Sequence, residues 1–130
     1  MNAQLTNLLN KYVFTEHVFG LNDCNIILAD YLDSLLGTEY LNQLKGQYEN
    51  IEQGLLIAKK AGLNSPKYIL EKHATKVDTA KDGDVLITKV GKYWAVSIVF
   101  KNQMITEYDN KYIMMPISLT DKTLIYRIGE

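Results

Sequence analysis

The chain has one cysteine, two histidines and two prolines among its 130 residues, and each scarcity removes a class of structure. One cysteine cannot close an intramolecular disulfide, and without cysteine pairs or cysteine–histidine clusters there is no zinc motif, so stability must come from packing. No apolar run is long enough to cross a bilayer. The start, "MNAQLTNLLNKYVF", lacks a basic region, an apolar run and a small-residue cleavage site, so the expectation is a protein made in the cytoplasm with no membrane insertion. The formal net charge is −1 and the basic residues are scattered, which removes the basic patch that a nucleic acid or an anionic membrane would need. No cofactor and no metal are expected. The length suits one domain, 1–130, with a real core, and is too short for two.

Three- and four-residue apolar spacing predicts a helix over 3–13, with Leu5, Leu8, Leu9 and Tyr12 on one face. A second helix over 23–36 carries a wide stripe, Ile27, Leu28, Tyr31, Leu32, Leu35 and Leu36, closed by Gly37 as C-cap, and should be central and largely buried. Shorter helices follow at Glu39–Leu44, at Asn50–Ala61 with Gly62 closing it, and at Pro66–His73 with proline in the first turn. From Asp82 the pattern changes to β-branched and aromatic runs, "DVLITKV", "YWAVSIVF", "MITEY", "YIMMPI" and "TLIYRI", separated by turn residues. Helices first and strands second predict an α+β fold, an antiparallel meander of about five strands covered on one face by the Cys24 helix.

Cys24 sits where a loop becomes that second helix. Unpaired N–H groups and the positive end of the helix dipole lower a thiol's pKa there and can form part of an oxyanion hole. The plainer reading is a small buried hydrophobe. Asp23 and Asn22 are natural helix caps, and an anion beside sulfur opposes thiolate formation.

Gly20, Asp23 and Cys24 opening an apolar helix, followed after a helical stretch by Gly83 and Asp84 opening a strand in "DGDVLI", resemble the papain-type fold of NlpC-like cysteine peptidases. The order "VFGLNDC", with Phe19 where a tryptophan is usual, then "GQYENIEQGLLIAKKAG", "DGDVLI" and "LIYRI", is similar to a family of short phage and prophage proteins related to those peptidases. The resemblance runs from about His17 to the C-terminus.

That resemblance implies a base on the strand after the Gly-Asp strand. Setting a His-Val-Gly-Ile pattern against "AVSI" puts Ala95 at the histidine position, its methyl facing the Cys24 helix in a site expected to be at least partly filled. No histidine lies in the sheet half, so the catalytic base is missing. His17, in the loop before the helix, is the remaining substitute, while His73 suits a helix C-terminus. An orienting residue would fall near Thr106 and Glu107. Tyr93, Trp94, Phe100, Tyr108, Tyr112 and Tyr126 read as alternating core and cross-strand aromatics, with any exposed subset marking an interface. Met104, Met114 and Met115 read as core filler.

Four functions compete. The resemblance and the missing base favour a non-catalytic module binding other virion proteins in a phage tail or tail tip, and therefore located in the virion. The alternatives are a cysteine amidase or peptidase acting on cell-wall peptide through Cys24, a glycan- or peptide-binding module that touches peptidoglycan without turnover, and a cytoplasmic regulator.

Overall fold

The computed structural model describes residues 2–60, 62 and 65–129. Among them, helices α1 (Asn2–Tyr12), α2 (Cys24–Leu36), α3 (Tyr40–Leu44), α4 (Ile51–Lys60) and α5 (Pro66–His73) precede strands β1 (Ala74–Val77), β2 (Val85–Val90), β3 (Tyr93–Phe100), β4 (Gln103–Tyr108), β5 (Lys111–Pro116) and β6 (Thr123–Ile128). The fold is α+β, as the helix-then-strand pattern predicts. Ala61, the expected last residue of the fourth helix, lies outside the described residues.

The strands form one antiparallel sheet in the order β1-β6-β2-β3-β4-β5. Two features depart from the expected meander. First, β1 is an additional strand, continuing directly from α5. Second, β6 pairs with β2 and β1 rather than with β5, so the chain returns across the sheet and only β2 to β5 form a meander. Among the described residues no helix is long and apolar enough to cross a membrane.

Strand periodicity divides the apolar residues between two faces. Val85, Ile87, Val96 and Ile98 join Leu5, Tyr31, Leu32 and Leu70 in the main core beneath the helices. Leu86, Val99 and Ile125 make a smaller cluster on the opposite face, with Val77, Met104 and Ile117 against it.

Helix α2 is the central helix. Ile26, Ile27, Leu28, Ala29, Tyr31 and Leu32 are all buried. Its N-cap is Asp23, whose side chain accepts from the Ile26 N–H, and its C-cap is Gly37 in the left-handed region, the conformation that glycine adopts at no Cβ cost. Beyond Gly37, the Asp33 carboxylate accepts from the N–H groups of Tyr40 and Leu41, which fixes the start of α3.

A hydrogen bond ties α2 to the sheet, and a buried ion pair beside it ties two strands together. The Tyr31 hydroxyl donates to the Gly83 carbonyl at 2.7 Å. Gly83, with φ +89°, turns the chain into β2. The next residue, Asp84, is buried and accepts two charge-assisted bonds from Arg127, Nε to Oδ1 at 2.9 Å and Nη2 to Oδ2 at 2.8 Å. The Gly-Asp of "DGDVLI" and the arginine of "LIYRI" therefore meet in space and lock β6 beside β2.

Candidate functional site

Cys24 is the first residue of α2 and lines a cleft of about 320 Å³. His17, Phe19, Tyr48, Lys89, Tyr93 and Trp94 share its wall. The cleft therefore lies between the loop before α2, the start of α2, the Tyr48 segment with α4, and the turn joining β2 to β3.

The loop is held by backbone pairing with the edge strand. The Phe14 N–H donates to the Tyr112 carbonyl, the His17 N–H to the Asn110 carbonyl, and the Tyr112 N–H to the Thr15 carbonyl. Asn22 is a loop clasp rather than a helix cap: its Oδ1 accepts from the Val18 N–H, and its Nδ2 donates to Thr15 Oγ1. These bonds hold the His17 ring edge-on to Phe19, with centroids 4.5 Å apart, and 6.1 Å from the Tyr112 ring.

Asp23 is buried and fully occupied. Oδ1 accepts from the Ile26 N–H at 3.0 Å, and Oδ2 accepts from the Gly20 N–H at 2.8 Å and from the Tyr48 hydroxyl. It is the organiser of the loop, the helix start and the Tyr48 segment at once.

Burial pushes the Cys24 thiol up to about 11, and the Asp23 charge beside it pushes the same way. The backbone N–H groups of Val96, Cys24 and Asn25 pull in the opposite direction. The helix N-terminus acts on the sulfur as expected, but desolvation of a thiolate here outweighs it.

The structure corrects the expectation for Ala95. It is exposed and pairs with Thr88, and alternation puts it on the face of β3 away from the helices, the face that carries Val99. The β3 side chains facing the helices are Trp94, Val96, Ile98 and Phe100, and Trp94 is the one that lines the Cys24 cleft. Where the resemblance calls for an imidazole, the cleft presents an indole. Ala95→His is therefore expected to leave thermal stability within about 0.5 kcal/mol and the rate of Cys24 alkylation unchanged. Trp94→His, which puts an imidazole on the cleft side, is expected to raise that rate. Iodoacetamide labelling of both variants checks the assignment.

The other expected residues fall away from the sulfur's immediate surroundings. His73 Nε2 is bonded to the Tyr40 hydroxyl, tying α5 to α3. Glu107 is exposed on β4 and pairs with Tyr112. Gly20 and Gly83 act through the backbone bonds described above, and Asp84 through its carboxylate on Arg127.

Two tyrosines at this site have no counterpart in the motif reading as functional groups. Tyr48 reaches Asp23, and its ionisation is pushed up by burial and by that carboxylate. Tyr112 is buried, and among the described residues its hydroxyl has no hydrogen-bond partner. Its ionisation too is pushed up, by burial first and then by the charges that Cys24 and Asp23 would present. A buried hydroxyl without a partner loses its bonds to water and gains none, so Tyr112→Phe is expected to stabilise the fold by about 1 kcal/mol. Urea unfolding of the variant measures this.

The fold and site together define a small α+β protein with a cysteine at the first turn of its central helix, facing an aromatic-walled cleft. Residues 1–128 match the family described as "Domain of unknown function (DUF6950)", and the chain belongs to that family. No curated protein and no solved structure matches it.

Proposed function

We propose that this chain is a non-catalytic NlpC-like module that binds a partner protein as a component of a phage tail or tail-tip assembly, made in the host cytoplasm and carried in the virion. The observation that carries the non-catalytic part is the wall facing Cys24, where β3 presents Trp94 rather than a histidine; the direction in which burial pushes the thiol, up to about 11, agrees with it. A cysteine hydrolase needs a thiolate and a base within hydrogen-bond reach of it. The papain-like ancestry and the virion location are supported by the order of the "VFGLNDC", "DGDVLI" and "LIYRI" segments. Peptidoglycan is a second ligand compatible with this reading.

One observation favours the alternative of an active amidase on cell-wall peptide: His17 lines the same cleft as Cys24. Incubation of the purified chain with peptidoglycan and with model peptide amides separates the two. The proposal expects no turnover, and turnover abolished by Cys24→Ala would establish the amidase. Mass spectrometry of purified phage particles tests the location, and absence of the chain from them would overturn the virion assignment.

A further inference from the structure

The cleft's wall carries four ionisable side chains besides the Cys24 thiol and tyrosines: His17, Asp23, Lys89 and Lys92. Asp23 is 4 % exposed, and both its oxygens are taken by Gly20, Ile26 and Tyr48. Among the described residues the wall therefore offers a ligand no free anion, but it offers two lysines, Lys89 near the end of β2 and Lys92 in the turn after it.

Those lysines are positioned. Lys89 Nζ lies 5.0 Å from the centre of the Trp94 ring and donates to the Lys92 carbonyl at 3.3 Å. Lys92 is exposed, with its Nζ 5.3 Å from the centre of the Tyr93 ring. Each ammonium is thus held against an aromatic face by attraction to the ring electrons. The opposite wall is apolar, with Phe19, Ile51 and Leu55. A volume of about 320 Å³ lies within the range of clefts that hold ligands.

We infer that this cleft receives an acidic, aromatic-containing peptide segment of a partner protein, its carboxylates at Lys89 and Lys92 and its apolar side chains between Trp94 and Phe19. The inference rests on the binding reading above and specifies the chemistry of the partner. A neutral glycan would use the aromatic walls but leave both ammonium groups without a counter-charge. An acidic segment uses both, and charge complementarity also suppresses cationic competitors.

Trp94 is the chain's one tryptophan, so intrinsic fluorescence reads the cleft directly. The probe is a capped pentapeptide alternating glutamate and phenylalanine, titrated into the full chain beside a counterpart with glutamine in place of glutamate and beside neutral chitotriose. The acidic peptide is expected to give a saturable change in Trp94 emission, to bind more tightly than the glutamine peptide, and to weaken as salt is raised. Lys92→Gln is expected to weaken it about three- to fivefold with the melting temperature unchanged. Equal affinity for the acidic and glutamine peptides, no response to either, or a response to chitotriose alone would overturn the inference. Failure of the non-catalytic reading has a separate signature, cleavage of peptidoglycan or amide substrate that depends on Cys24, whatever Trp94 reports.

Discussion

Arg127→Ala is expected to lower the unfolding free energy by about 3–5 kcal/mol, because it leaves a buried carboxylate without its counter-ion. Asp84 has a side chain 2 % exposed and holds Arg127 in a two-pronged pair. Its Oδ2 also accepts from the Lys81 N–H, and Arg127 Nη2 donates to the Thr79 carbonyl. Asp84 as a whole is 1 % exposed, so truncation at Arg127 takes the counter-charge from a carboxylate that water barely reaches. For a chain of this size the loss corresponds to a fall in melting temperature of about 10 °C or more. Arg127→Lys retains the charge but not the two-pronged geometry, and a smaller fall is expected. Thermal and urea unfolding of both variants measure this, and a loss below about 1 kcal/mol for Arg127→Ala would mean that the pair does not hold β6 in place.

Gly20→Ala is expected to cost at least about 3 kcal/mol, from left-handed strain and a backbone clash acting together. Gly20 has φ +84°, a region where a Cβ costs about 1–2 kcal/mol. A Cβ there would also fall on the carbonyl oxygen of Tyr48, and a main-chain atom has no rotamer by which to move aside. The close approach is built from both sides: the Gly46 N–H donates to the Gly20 carbonyl at 2.7 Å, and the Gly20 N–H donates to Asp23. Displacing Gly20 therefore disturbs the N-cap of α2 and the Tyr48 wall of the cleft together. Gly37 is the control, since its φ is +71° but nothing lies within 4 Å of a Cβ placed on it. Gly37→Ala should cost only the strain, about 1–2 kcal/mol. Equal losses at the two positions would show that the contact with Tyr48 contributes nothing.

Much of the fold was legible because local signals agreed with tertiary structure. The apolar spacing in α1, the Asp23 and Gly37 caps of α2 and the proline at the start of α5 each act within a few residues. Strand β1 was not legible: four residues, exposed at Thr75 and Lys76, carry no apolar run, and they are strand only because β6 pairs with them. The return of β6 to β2 was hidden for the same reason, since the Asp84–Arg127 pair joins residues far apart in sequence.

The site was legible in its cysteine and not in its surroundings. The placement of Cys24 at a helix N-terminus followed from "GLNDC" and the apolar stripe after it. On β3 the residue facing the cleft is Trp94, one position before the Ala95 that the resemblance implies. Here the sequence did hold a signal, because Trp94, Val96, Ile98 and Phe100 are bulkier than Ala95 and Ser97, and the bulkier set of a strand covered on one face turns inward. Tyr48 and Tyr112 reach the site from distant segments, and no spacing rule reports that.

A Cys24 that keeps its proton at neutral pH is what the non-catalytic account predicts. With its pKa pushed up from the ordinary 9.0 to about 11 by burial, the thiolate is a small minority at pH 7. The shift also carries a stability consequence. Above pH 9 the unfolded thiol loses its proton before the folded one does, so stability falls as pH rises from 9 toward 11. The direct measurement is the rate of iodoacetamide alkylation of Cys24 between pH 6 and 10.5, in the native chain and in His17→Ala. The account predicts a rate that climbs about tenfold per pH unit through neutrality with no plateau below pH 10, the same in both proteins. A plateau reached by pH 8, lost when His17 is replaced, would show an activated thiolate and contradict it.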